Sequence, residues 1–138
     1  MAPSAALRII IFLSLFLIPR FSTAQSVHNL HIKFNSIKEE SGSLYIQILD
    51  KSEKVISSHI IDAKEGAILK VGNLKDGQYW VRVYQDLNGN GSLDKNYLGI
   101  PKEPYGFSNN VRPKFGPPDT EDLLFDLRQN TSIAIQLQ

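Results

Sequence analysis

Gly77-Gln78-Tyr79-Trp80-Val81-Arg82-Val83-Tyr84-Gln85-Asp86 alternates along its length, with Tyr79, Val81 and Val83 on one side and Trp80, Arg82 and Tyr84 on the other. Successive side chains of a strand point to opposite faces, so this period of two predicts a strand whose Tyr79-Val81-Val83 side is buried. Lys75-Asp76-Gly77 supplies the entry turn, and Asp86 marks the exit.

The same period recurs on both sides of this stretch. Leu30, Ile32 and Phe34 alternate with His31, Lys33 and Asn35, and after Gly42-Ser43 the residues Leu44, Ile46 and Ile48 alternate with Tyr45, Gln47 and Leu49. Weaker runs cover 55–61 and 67–71. Two more close the chain, with Leu123, Phe125 and Leu127 inward on one and Ile133, Ile135 and Leu137 inward on the other. Short strands separated by turn residues, with no sustained helical period, predict an all-β fold, an antiparallel β-sandwich of about seven strands. Leu74-Lys75-Asp76-Gly77-Gln78-Tyr79 predicts a corner in which the Tyr79 hydroxyl folds back onto the preceding backbone.

Arg8, the apolar run 9–18, Pro19 and the small residues Ser22-Thr23-Ala24 have the layout of a secretory signal peptide. The run is far short of the roughly 20 apolar residues that span a bilayer. The expectation is therefore a signal peptide over 1–24 and a single β-sandwich domain over 25–138, exported to the periplasm or the extracellular space, with no membrane span after cleavage. Loss of 1–24 removes Arg8 and Arg20 and no acid, turning the formal charge of +1 into −1. Near-neutrality without a basic cluster argues against nucleic acid or anionic lipid as partner. With no cysteine in 138 residues, disulfides, thiol nucleophiles and cysteine-ligated metals are excluded. Extra stability would then come from a hard cation held by oxygen ligands.

From Asp86 to Thr120 the alternation stops, and Asn, Gly and Pro cluster. A connection this long is usually functional or disordered, and Tyr97, Tyr105, Phe107 and Phe115 favour an ordered loop that packs on the sandwich. Asp86, Asn88, Asn90, Ser92 and Asp94 follow the odd-numbered spacing of calcium loops, with Gly91 at the sixth position. The twelfth position is Tyr97 rather than Glu, so Glu103 is the candidate remote ligand. The competing reading is a metal-free turn in which Asn88-Gly89 and Asn90-Gly91 supply positive backbone angles. Both stand on the sequence.

Trp80, Arg82 and Tyr84 form a second candidate site, a platform for a sugar or a peptide, unless the long loop covers them. No catalytic residue is expected. His28, His31 and His59 are scattered, no Ser has the glycine flanks of a nucleophile elbow, and Glu39-Glu40 and Glu121-Asp122 read as solvated turns.

Two motifs carry a resemblance. The first is Asn73-Leu74, Gly77, Tyr79, Val81, Val83, Asp86, Asn88, Asn90-Gly91 and Leu93-Asp94; the second is the unbroken Gly99-Ile100-Pro101-Lys102-Glu103-Pro104-Tyr105-Gly106-Phe107-Ser108-Asn109-Asn110. With Gly116-Pro117-Pro118 before the acidic 119–122, the chain is similar to an uncharacterised bacterial exported family, domain of unknown function 2141. The resemblance implies an exported sandwich similar to transthyretin-like and carboxypeptidase regulatory-like modules, and no assigned activity; the expected sandwich is transthyretin-like or immunoglobulin-like. Read physically, the second motif stiffens the loop with Pro101 and Pro104 and presents Ser108, Asn109 and Asn110 either as a ligand-binding rim or as partners for buried backbone groups.

The sequence thus points to a non-enzymatic binding or accessory module whose loop is organised by calcium or by its own polar network. A carbohydrate or protein at the cell envelope is the expected partner. The alternatives are a carbohydrate- or peptide-binding module using the Trp80/Tyr84 face and a metal-assisted hydrolase using Asp86, Glu103 and a cation.

Overall fold

The computed structural model describes residues 25–138; the expected signal peptide lies outside the described residues. The strands are β1 (Val27–Asn35), β2 (Ser43–Asp50), β3 (Val55–Asp62), β4 (Ile68–Lys75), β5 (Gly77–Asp86), β6 (Tyr105–Phe107), β7 (Phe125–Leu127) and β8 (Thr131–Gln136), with a 3-10 turn over Ser108–Asn110 and one α-helical turn, α1 (Thr120–Leu123). A three-stranded sheet runs β4-β1-β8 and a five-stranded one runs β3-β2-β5, with β6 and β7 end to end on the far edge of β5. The two sheets form an all-β sandwich.

Alternation decides which side chains fill it. Leu30, Ile32 and Phe34 of β1 meet Leu44, Ile46 and Ile48 of β2 and Tyr79, Val81 and Val83 of β5 in one buried cluster, closed by Leu127, Ile135 and Leu137. The Tyr79 ring belongs to this core, and its hydroxyl donates to the Lys75 carbonyl at 2.9 Å, closing the corner that Gly77 permits. Burial raises the Tyr79 pKa above its ordinary value, with Asp50 and Asp76 adding to the effect, so the phenol remains a donor.

The all-β sandwich of about seven strands is as expected, and four details refine it. There are eight strands, because the long segment after Asp86 contributes β6, which pairs with Arg82–Tyr84. The sandwich is not wholly antiparallel, because β8 lies parallel to β1 from Leu30↔Thr131 to Asn35↔Gln136. The Asn130 side chain seats that pairing by accepting the Asn29 N–H at 2.9 Å. Leu123 is not in a strand; it ends α1 and packs against Leu49 and Trp80 outside the main core. Finally, Tyr97 and Phe115 do not pack on the sandwich but are 96% and 98% exposed, whereas Tyr105 and Phe107 are half-buried. Among the described residues no helix is long and apolar enough to cross a membrane.

Candidate functional site

Two features meet at the end of β5, a polar clasp over 86–103 and an aromatic groove across the outer face of the five-stranded sheet.

The clasp begins at Asp86, which is only 1% exposed. One of its oxygens accepts the N–H of Gly89 at 2.8 Å and of Asn90 at 3.2 Å, and the other accepts that of Gly91 at 2.8 Å. Its two oxygens together tie down three amides that have no strand partner. Asn88 and Asn90 accept the N–H groups of Asn90 and Ser92, and both donate their side-chain amides to the Asp94 carboxylate. Glu103, also buried, accepts the Leu87 N–H at 2.9 Å and the Asp94 N–H at 3.0 Å. The remote acid therefore returns to the turn. Ser92 contributes its N–H to the network.

As arranged, Asn88 and Asn90 turn nitrogen rather than oxygen toward Asp94, and Asp86 turns both oxygens toward backbone amides. The loop closes by hydrogen bonds. Among the described residues no group of three or more His, Asp or Glu side chains is placed to hold a metal ion. For a calcium ion to bind, both asparagine amides must rotate to turn their oxygens inward. Two oxygens beside a carboxylate repel each other unless a cation sits between them.

The groove has a volume of about 530 Å³ and is lined by Tyr45, Gln47, Trp80, Arg82, Tyr84, Lys95, Tyr105 and Phe107, among others. Tyr45 and Tyr84 are opposite each other on β2 and β5 and stack with ring centroids 5.1 Å apart and planes 9° from parallel. One row along the same strands, Arg82 donates to Gln47 at 2.8 Å. The Tyr84 hydroxyl donates to the Gly91 carbonyl at 2.8 Å, so groove and clasp share a side chain. Its pKa is raised by burial first, then by Tyr45, Asp86 and Glu103 nearby, which keeps the phenol protonated and the link intact.

The expected sites divide accordingly. Trp80 is not an open platform; it is 6% exposed, its indole N–H donates to the Asp50 carbonyl at 3.1 Å, and it packs with Leu49 and Leu123 under α1. Arg82 is exposed and Tyr84 half-exposed at the groove. Ser108, Asn109 and Asn110 take the second of their two expected roles, as partners for backbone groups. Ser108 is fully buried, accepts the Val81 N–H at 3.0 Å and donates to the Leu123 carbonyl at 2.6 Å. Asn109 donates to the carbonyls of Asp122 and Leu124, and Asn110 bonds the Ala134 carbonyl and the Gln136 N–H of β8. These side chains do the pairing that three-residue β6 is too short to do with its backbone. Both asparagines sit at positive φ, 58° and 53°, a conformation Asn tolerates better than most residues.

Sequence reading missed Tyr45 and Gln47, because an outer-face residue gains meaning only from its neighbour across the ladder. No curated protein and no solved structure matches the chain. The family model described as "Uncharacterized protein conserved in bacteria (DUF2141)" matches residues 32–135, a span that takes in both sheets, the clasp and the groove, and the chain belongs to that family.

Proposed function

We propose that this chain is an exported, non-enzymatic binding module of transthyretin-like type that holds a carbohydrate across Tyr45 and Tyr84. The observation that carries this reading is the stacked tyrosine pair beside the polar Arg82–Gln47 row in an open groove. Aromatic rings offer area to the apolar side of a sugar, and a hydrogen-bonding row at strand spacing suits its hydroxyls. Retention of the protein on insoluble cellulose, chitin and peptidoglycan tests it. Binding to one of these should fall roughly tenfold or more in Tyr45→Ala, the scale on which a central aromatic contact contributes. Retention on none of them, or retention indifferent to Tyr45, would remove carbohydrate from this groove.

A second reading concerns the clasp. Asp86, Asp94 and Glu103 share one loop, and none of them is in an ion pair among the described residues. Uncompensated charge of this kind favours a cation, with Asp86, Asn88, Asn90, Ser92, Asp94 and Glu103 as the candidate calcium set. Calcium added after chelation should raise the melting temperature, since ligand at about 100 times its dissociation constant stabilises by roughly 2.7 kcal/mol. An unchanged melting temperature in millimolar calcium would leave the clasp closed by hydrogen bonds alone.

A further inference from the structure

Strand β3 is the outer edge of the five-stranded sheet and pairs only with β2 among the described residues. Edges of this kind template pairing with another chain unless lysine, proline, a bulge or a covering segment blunts them. The other edges are blunted. Asn110 caps the rim of β8, β4 carries Lys70 and Lys75, and β6 and β7 are three residues each. From 55 to 61, β3 contains no charged residue and no proline; its one bulge lies at the Val55 end, so that 57–62 pair regularly with β2, and Val55, Ile56 and Ile60 are left exposed at 41%, 41% and 60%.

The polarity of this strand reads the same in both directions about Ser58: Val55-Ile56-Ser57-Ser58-His59-Ile60-Ile61, with Lys54 before it and Asp62 at its end. A two-fold axis perpendicular to the sheet pairs such a strand with its own copy, antiparallel, and keeps each face on its own side. With Ser58 on the axis, Ile56 faces the partner's Ile60, Ser57 faces the partner's His59, and Lys54 faces the partner's Asp62. Each contact occurs twice. Because opposed residues must share a face, the nearest other registers are slips of two, and they fail. One puts Lys54 against Ile60 and Ile56 against Ser58; the other puts Ile56 against Asp62 and Ser57 against Ile61.

We propose that β3 is a homodimerisation edge, occupied by β3 of a second copy in the register centred on Ser58, with Lys54 and Asp62 as the charge pair that fixes it. Both charged residues are exposed, and the Asp62 carboxylate is otherwise paired only with Lys64, at 4.0 Å. A bulge leaves Ile56 as the extra residue between the Ile48↔Ser57 and Leu49↔Val55 pairs, so residues 56 to 60 carry the new ladder and Val55 packs at its margin. The long lysine side chain spans the resulting offset. In this dimer the two grooves lie on one face of a continuous sheet, so each dimer presents two binding surfaces side by side. The pairing holds whatever the groove binds.

Sedimentation velocity over a concentration series on the exported protein tests the proposal. A concentration-dependent dimer is expected. Lys54→Asp and Asp62→Lys should each weaken it roughly tenfold, two like-charge contacts replacing two attractive ones at a partly exposed rim, and the double exchange should recover the original affinity. Ser58→Cys gives an independent check, because the chain has no other cysteine and opposed residues of an antiparallel pair stand about 4.5 to 5.5 Å apart, within disulfide range. Mild oxidation should convert that variant to a covalent dimer and leave Ser52→Cys without a covalent link. A chain that stays monomeric at its highest soluble concentration would overturn the proposal. So would a dimer indifferent to both charge reversals.

Discussion

Gly42→Ala is expected to lower the unfolding free energy by roughly 4 kcal/mol or more, the exceptional range that overpacking combined with strain at a special backbone angle can reach. Gly42 opens β2 with φ at 69°, and a β-carbon built there would stand 2.0 Å from the carbonyl oxygen of Asp86. No side-chain rotation relieves that approach, since the backbone fixes the position of the β-carbon and the oxygen is main chain. The left-handed conformation adds a penalty of about 1–2 kcal/mol for an L-residue. The move that would relieve the clash displaces the first residue of the clasp, or the Gly42 carbonyl that accepts the Ala63 N–H at 3.2 Å. Urea unfolding of Gly42→Ala beside Gly89→Ala separates the two causes. Gly89 has a similar φ of 75° with nothing within 4 Å, so its substitution should cost only the conformational penalty. Equal losses at both positions would mean that strain alone is responsible and that β2 does not rest on Asp86.

That contact also indicates how far sequence could go. The inner faces of β1, β2 and β5 were legible because burial imposes a period of two on Leu30-Ile32-Phe34, Leu44-Ile46-Ile48 and Tyr79-Val81-Val83. Leu123 was misplaced because a residue two before Phe125 continues the same period by accident, whereas a single helical turn is too short to show one of its own. Strand β6 was hidden because Tyr105-Gly106-Phe107 has no alternation to detect; Gly106 is there because a β-carbon would come within 2.9 Å of Ile135 and 3.0 Å of the Gln136 carbonyl. The parallel partnership of β1 and β8 belongs to tertiary structure and leaves no local mark. In the clasp, spacing showed that Asp86, Asn88, Asn90 and Asp94 act together. It could not show which end of each asparagine amide faces Asp94, and that orientation separates a hydrogen-bonded turn from a cation site. Trp80 and Tyr84 looked equivalent in the sequence because both lie on the outer face, but α1 packs over Trp80 and leaves it 6% exposed at the groove wall, whereas Tyr84 stays half-exposed.

Ser108→Ala is expected to destabilise the protein by roughly 3 kcal/mol, although it removes a single oxygen. That oxygen is fully buried and serves two backbone groups at once, accepting from the Val81 N–H and donating to the Leu123 carbonyl. Alanine leaves both without a partner in a space that water does not enter, and each buried group left unpaired costs about 1–3 kcal/mol. The neighbouring Asn110→Ala also removes two bonds, to Ala134 and Gln136, but from exposed ground where water can replace them, so the lost bonds should cost about 1 kcal/mol and the positive φ of 53° about 1 kcal/mol more, a total below that of Ser108→Ala. Denaturant midpoints for the two variants, read with an unchanged slope, give the comparison. The mechanism predicts a further difference. Losing the Ser108 link frees α1 from β5, and Trp80 lies between them against Leu123. Its fluorescence should therefore shift to longer wavelength in Ser108→Ala under native conditions and stay unchanged in Asn110→Ala. If the two variants unfold at the same denaturant concentration and Trp80 emission is unaltered in both, the Ser108 hydroxyl is not what joins the outer edge of β5 to the chain that covers it.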